Sequence, residues 1–410
     1  MQKKLLGLAV AGALAAPGIA SAQVEVYGFV NMSVGNFKYS SDTAGNPSVS
    51  KWDVASHASN YGIRGRENIG MGQTAWFQIE QNAPMERSNN IAITPASRNS
   101  AVGVQGNWGN AFIGQWTTPW ADLDALWSIG TVGGWGPVTS IIGRRETTGT
   151  APNPNCANIH NSGGQAITGI AGVQGTCDAV EAAGGVGHPF WRRVSQAVFY
   201  QSPVFAGVQI KLAYQTNEGK ATQGTTVADP SMWSSSVQWA GMGGRLRVGA
   251  AFDAHKDFTT AGKTDNGWAV KGGWNFGFAD VGLAYESMTY KLATVDCDAK
   301  QWGVALAIPI GQGAIRASYA VADDIDTAGC VPANPAGSGA GDNGAKTYNI
   351  GYDYRFSKRT TLGFGYAAIK NDMAAAFAWT GMPPNAGGQA STAAAGSDPS
   401  TFFVNMVHRF

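Results

Sequence analysis

Residues 208–215 read VQIKLAYQ, with Val208, Ile210, Leu212 and Tyr214 on one face and Gln209, Lys211 and Gln215 on the other. A period of two is the period of a β-strand. The pattern recurs along the chain. RLRVGAAFD (245–253) sets Leu246, Val248, Ala250 and Phe252 against Arg245, Arg247 and Asp253, and GWAVKGGWNF (267–276) sets Trp268, Val270, Trp274 and Phe276 against Lys271 and Asn275. In YNIGYDYRF (348–356), Tyr348, Ile350, Tyr352, Tyr354 and Phe356 oppose Asn349, Asp353 and Arg355, and LGFGYA repeats the scheme with Leu362, Phe364 and Tyr366. The closing TFFVNMVHRF places Phe402, Val404, Met406, His408 and terminal Phe410 on one face.

A soluble sandwich alternates in the same way, so the breaks between the strands have to decide the fold. Sixteen strands are predicted, beginning near residues 23, 59, 72, 98, 109, 192, 207, 231, 244, 267, 280, 300, 314, 346, 360 and 401. Short breaks (NIGMG, NWGN, SPVFAG, GMGG, GFAD, PIGQG, SKRT) alternate with long ones, among them Lys38 to His57, Asn82 to Ser97, Thr117 to Phe190, Asn217 to Pro230, Asp323 to Ala345 and Lys370 to Ser400. An even strand number with short turns at one end and long loops at the other is the layout of a transmembrane antiparallel β-barrel with periplasmic turns and extracellular loops. Sixteen strands close too wide for side chains to fill, so the polar face is expected to wet a lumen and the apolar face to meet lipid. Gly249, Gly303, Gly351 and Gly363 fall on inward positions, where they either keep the lumen open or relieve wall curvature.

The ends and the composition agree with export. MQKKLLGLAVAGALAAPGIASAQ has Lys3 and Lys4 ahead of an apolar stretch and small residues Ala20 and Ala22 before Gln23, the pattern of a signal peptide over 1–22, leaving 23–410 as the barrel. Losing Lys3 and Lys4 takes Lys+Arg from 28 to 26 against 27 Asp+Glu, a nearly neutral chain with no nucleic-acid footprint. Only 13% of residues are charged while glycine reaches 56, so the surface is not that of an ordinary soluble enzyme. His57, His160, His188, His255 and His408 are scattered without GxSxG or HExxH, which argues against an enzyme. No cofactor or metal site is expected: the cysteines lack zinc-site spacing, and the Asp-rich tracts DDID and DCD lack a full calcium loop. Cys156, Cys177, Cys297 and Cys330 would meet an oxidising periplasm, where three pairings are open.

VEVYGFVNMSVG, SNYGIRGRENIGMGQTAWFQIEQ, SRNSAVGVQGNWGNAFIGQWTTPW and SQAVFYQSPVFAGVQIKLAY, in that order and spacing, resemble the general diffusion porins of the Gram-negative outer membrane. The terminal HRF is similar to the ending of β-proteobacterial members. The resemblance implies a homotrimer of sixteen-stranded barrels in lipid and lipopolysaccharide, inserted by the barrel-assembly machinery that reads Phe410. It also implies that the third long loop, here 117–190, folds into the lumen as the constriction. That loop is longer than the family's usual one and carries GTVGGWGP in place of an acidic tip. Cys156 and Cys177 lie inside it, and a bridge there would contribute about 3 kcal/mol on a loop-entropy argument. Cys297 and Cys330, taken to lie in successive outward loops, form the second expected pair.

Porins of this kind sort solutes with a field between wall arginines and loop carboxylates, focused by low-dielectric walls. By motif the wall arginines carry over onto Arg64, Arg98 and Arg193, whereas Arg66, sharing a face with Arg64, reads better as turn-proximal charge. On the loop, Asp122, Asp124 and Glu146 are the candidate carboxylates, with Arg144 and Arg145 reinforcing a positive throat. Gln115 stands where many members carry an arginine. Trp116, Trp120, Trp127 and Trp135 either stack solutes or, the favoured reading, fasten the loop. The expectation is a passive channel for small hydrophilic solutes and ions, weakly anion-leaning. Its rivals are a substrate-specific channel of the same fold and a plugged structural barrel. A non-reducing peptide map is expected to show Cys156 joined to Cys177 and Cys297 to Cys330; any other linkage overturns that assignment.

Overall fold

A computed structural model describes residues 23–41, 48–83, 96–142, 190–216, 230–258, 262–291, 294–327, 342–373 and 396–410, with isolated short pieces between them. The signal peptide expected over 1–22 falls outside them. Sixteen wall strands run in chain order. The first half comprises β1 (Gln23–Ser41), β2 in two segments (Val49–Ser56 and Asn60–Gly70), β3 (Gln73–Asn82), β4 (Ser100–Gly106), β5 (Gly109–Thr117), β6 (Arg193–Gln201), β7 (Val208–Gln215) and β8 (Ser231–Gly241). The second half comprises β9 (Leu246–Lys256), β10 (Thr264–Asn275), β11 (Asp280–Lys291), β12 (Asp296–Ile310), β13 (Gly313–Ala322), β14 (Ala345–Arg355), β15 (Thr360–Asn371) and β16 (Ser397–Arg409).

Each strand pairs antiparallel with its neighbours in sequence, for example Val248 with Gly272 and Val270 with Tyr285. The ring closes where β1 pairs with β16, from Phe29 opposite Arg409 to Ser41 opposite Ser397. Phe410 extends the seam: its N–H donates to the Gly28 carbonyl at 3.0 Å, and the Gly28 N–H donates back at 3.2 Å. Closure leaves no unpaired edge, the condition a sheet must meet in hydrocarbon.

The side chains follow the alternation, inverted relative to a soluble protein. Val270 and Leu283 are 43% and 58% exposed, whereas Lys271 and Glu286, on the opposite faces of the same strands, are 1% and 0% exposed. Trp268, Val248, Trp302, Val304, Ile350, Phe364 and Phe402 also stand exposed on the outer face. Aromatics gather at two levels. Trp108, Phe205, Phe276, Phe278, Phe356 and Phe410 are exposed at the short-turn end, while Trp268 packs on Tyr285, Trp302 on Tyr319 and Tyr366 on Phe402 nearer the long loops. From Trp268 in β10 to Phe276 just past its end is eight residues, roughly 26 Å along a strand and about 20 Å along the axis at the usual tilt, somewhat less than the ~25 Å of an outer-membrane apolar band.

The turn between β2 and β3 shows why the short breaks are glycine-rich: Gly70 and Gly72 adopt φ of +90° and +71°, values that favour a residue without Cβ. Three expectations need correction. The break expected from Lys38 to His57 is mostly wall, because β1 continues to Ser41 and β2 starts at Val49. The β2 strand is interrupted only at 57–59, where Ala58 takes φ of +51° and both flanking segments pair with β1. The connection 292–295 on the long-loop side is as short as a turn. Cys297 sits in β12, fully buried and bound in a disulfide, and not in a loop as expected; the other three cysteines lie outside the described residues.

If the outer face meets lipid, Val270→Arg should lower unfolding stability in bilayers by about 2–4 kcal/mol, the cost of a guanidinium near the midplane. Urea titration followed by tryptophan fluorescence in vesicles checks this, and a neutral result would place Val270 away from hydrocarbon.

Candidate functional site

The third loop is described from Thr118 to Ile142, and it lies against the inner wall. Thr118 caps a short helix at Pro119–Asp122, its hydroxyl accepting from the Ala121 N–H, with proline at the first helical positions. A 3-10 turn follows at Leu123–Leu126 and a second at Pro137–Thr139. Trp120, Trp127 and Trp135 are each fully buried, so the fastening reading of these tryptophans holds; Trp116 is half-buried on β5.

Charged side chains fix the loop to the wall. Asp124 accepts from Lys271 Nζ at 2.6 Å, and the same ammonium meets Glu286 at 2.7 Å. Trp120 and Trp127 donate from their ring nitrogens to Glu286 at 3.1 Å and Asp124 at 3.0 Å. Asp122 pairs with Lys211 at 2.9 Å and accepts from the Thr117 hydroxyl at 3.2 Å. Burial pushes the Asp122 carboxyl above its ordinary range, and the Lys211 ammonium pulls the other way.

Further round the wall the loop is held by its backbone. Arg247 forms a fork with Asp280 at 2.8 and 3.1 Å and donates its Nε to the Leu126 carbonyl at 3.2 Å. Arg316 pairs with Asp353 at 2.6 Å and donates to the Ile129 carbonyl. The Asn349 amide donates to the Trp135 carbonyl at 3.0 Å, and the Trp135 ring meets the His57 ring with centroids 4.2 Å apart.

The inward glycines make this approach possible. A Cβ on Gly249 would stand 2.7 Å from Leu123 and 2.9 Å from Leu126, one on Gly303 would stand 3.0 Å from the Trp127 ring, and one on Gly363 would stand 2.7 Å from Val132. The space these three leave is therefore occupied by the loop and does not stay open as lumen. Gly351 instead lies against the backbone of β15.

The described part of the loop contacts the inner face from β7 round through β16 to β1 and the β2 break, leaving most of the inner face of β2 to β6 outside these contacts. That uncovered face holds the three arginines singled out from sequence. Arg64 pairs with Glu25 at 2.9 Å and lies over the Tyr27 ring. Arg98 pairs with Glu80 at 2.6 Å and reaches Asn82 at 3.1 Å, while Tyr27 donates to the other Glu80 oxygen at 3.0 Å. Arg193 donates to Asn99 Oδ1 at 2.6 Å. The partners of these bonds, Glu25, Glu80, Asn82 and Asn99, all belong to the wall. Asp122 and Asp124, expected to face them, are taken up by lysines. Arg144, Arg145 and Glu146 lie outside the described residues.

Sequence reasoning missed Glu25, Glu80, Lys211, Lys271, Glu286 and the Arg247–Asp280 and Arg316–Asp353 pairs as parts of the site. Each lies on the polar face of a strand, so the alternation places it inside, but nothing local says which loop residue it meets.

Replacing Lys271 by Met would leave Asp124 and Glu286 without their shared counter-charge in a dry setting. The expected cost is about 3 kcal/mol or more, with greater protease sensitivity in the third loop. Stability and limited proteolysis equal to the parent would show that the ammonium does not hold the loop.

Comparison with known proteins places the molecule. A family model described as Gram-negative porin matches residues 7–374. Outer membrane porin protein 32 of Delftia acidovorans is 25% identical over the whole of both chains. The major outer membrane protein P.IB of Neisseria lactamica is 24% identical over 88% of this chain and 91% of its own. Among solved structures, an anion-selective porin from Comamonas acidovorans superposes with a TM-score of 0.68 at 22% identity, covering 95% of this chain and all of that one.

Proposed function

The chain belongs to the Gram-negative porins, and from that premise we propose that its lumen is an outer-membrane diffusion path for small hydrophilic solutes that favours anions, lined by β2 to β6. The observation that carries this is an imbalance of charge on the uncovered wall. Among the described residues this stretch of wall carries four arginines, Arg64, Arg66, Arg98 and Arg193, against two carboxylates, Glu25 and Glu80, which pair with Arg64 and Arg98. The loop carboxylates that would restore the balance are spent on Lys211 and Lys271. In a narrow aqueous passage between low-dielectric walls, a surplus of fixed positive charge raises the local concentration of anions and repels cations.

Arg193 opens β6 at its long-loop end and shares Asn99 with Thr117, where the third loop begins, while Arg98, two residues before β4, is the chain neighbour of that asparagine. We assign them to the constriction. Arg64, 50% exposed and paired near the start of β1, belongs to the passage below it on the short-turn side. One structural neighbour supports this sign: the Comamonas acidovorans protein is described as anion-selective. The exposed aromatic levels suit an assembly of barrels in lipid, and we extend the homotrimer of the family's layout to this chain.

In planar bilayers under a salt gradient, the parent channel should be ohmic with a reversal potential on the anion side. Replacing Arg98 and Arg193 together by Gln should lower the chloride-to-potassium permeability ratio by about twofold or more at ~0.1 M salt, where screening extends only ~10 Å. An unchanged ratio would remove both residues from the constriction, and absent conductance would favour a plugged barrel.

A further inference from the structure

Below the third loop, on the short-turn side of the uncovered wall, a cavity of about 310 Å³ has a lining that includes Gln23, Glu25, Arg64, Arg66, Trp76, Gln78 and Gln105. Its two arginines differ. Arg64 is engaged by Glu25 and stacked over Tyr27, whereas Arg66 makes a single side-chain bond of 3.4 Å, to the Gln23 amide oxygen, and has no carboxylate within ion-pair distance among the described residues. Trp76, opposite Arg66 in the β2–β3 register, is half-buried and fixed in place. Its Nε1 donates to Asn110 Oδ1 at 2.8 Å, and its ring packs on Phe112 and Trp116 with centroids 5.3 and 5.9 Å away. Gly103 leaves room for it, since a Cβ there would stand 2.8 Å from the indole.

These features combine three recognition chemistries in one recess: an uncommitted guanidinium, an immobilised indole and glutamine amides. A guanidinium presents a planar fork that matches a carboxylate in two parallel hydrogen bonds. An indole contributes an apolar plane, and amides both donate and accept. A bare halide would use only the first of these.

We propose that this cavity is a solute-binding subsite of the pore for ring-bearing carboxylates, the carboxylate held on Arg66 and the ring laid against Trp76. The subsite rests on the reading of the lumen as a conducting path and deepens it. It lies a few residues from the turn at Met71–Gly72, so a solute meets it next to the periplasmic mouth. Aromatic acids and cyclic sugar acids share the required chemistry, and the glutamines equip the site for the hydroxyls of the latter.

The test is single-channel recording on the full chain, with benzoate, galacturonate or acetate added on the short-turn side. Saturable interruption of the chloride current is expected with a ring acid and not with acetate at equal concentration. Block by benzoate alone assigns aromatic acids, block by galacturonate alone assigns sugar acids, and block by both assigns the shared chemistry. Arg66→Gln should raise the half-blocking concentration about tenfold, as loss of a charge-assisted pair implies. Trp76→Leu should raise it severalfold, and Arg66→Lys, which keeps the charge but loses the fork, should fall between parent and Gln. Arg359→Gln, in the β14–β15 turn away from the cavity, should leave it unchanged. Should Arg66→Gln fail to form heat-modifiable barrels, Arg66→Lys and Trp76→Leu carry the test. Equal block by acetate, no block in a conducting channel, or a half-blocking concentration indifferent to Arg66 and Trp76 overturns the subsite; a parent chain without conductance overturns the pore reading beneath it.

Discussion

Everything in this molecule follows from the need to satisfy backbone hydrogen bonds where no water can reach. A sheet in hydrocarbon must close on itself, since an edge N–H left unpaired there costs several kcal/mol. The β1–β16 seam, continued to Phe410 and Gly28, meets that need. Once the ring is closed, the strand period divides the side chains into two populations with opposite solvents. The exposed Val270 and the buried Lys271 are chain neighbours with contrary tasks, and the difference arises only from which way each Cβ points.

The interior that results is neither a dry core nor an open tube. One side is packed: the third loop brings three buried tryptophans and two aspartates onto glycines and lysines of the wall. Burying Lys271 between two carboxylates is unfavourable in desolvation, and it is tolerated because both partners and two indole N–H groups are in place. The other side carries charges ranged along the wall, some paired and about half exposed, as Arg64 with Glu25. Packing and permeation are thus assigned to different arcs of one ring.

How much of this was legible from sequence depends on range. The strands were, because alternation is a local signal: β9, expected near 244, starts at Leu246, and β16, expected near 401, starts at Ser397. The first segment of β2 was missed because VSKWDVAS is a brief alternation next to a stretch rich in Ser, Gly, Asn and Pro, which reads as loop. Arg64, Arg98 and Arg193 were singled out by motif, yet Glu25 and Glu80, which pair with the first two, were not, although both lie in quoted motifs. The Asp124–Lys271 contact spans 147 residues, and no periodicity links a loop carboxylate to one lysine among several inward ones. Asp122 and Asp124 were expected to face the wall arginines, but their short reach to wall lysines, set by the helix that Thr118 caps, is a three-dimensional fact.

Two of the fastenings grip main-chain oxygens: Arg247 holds the carbonyl of Leu126 and Arg316 that of Ile129. A carbonyl is supplied by every amino acid, so these clasps are indifferent to which side chain occupies either position. A replacement there would alter how the side chain beds against the wall, where Leu126 and Ile129 pack, while the buckle that holds the strap stays fastened.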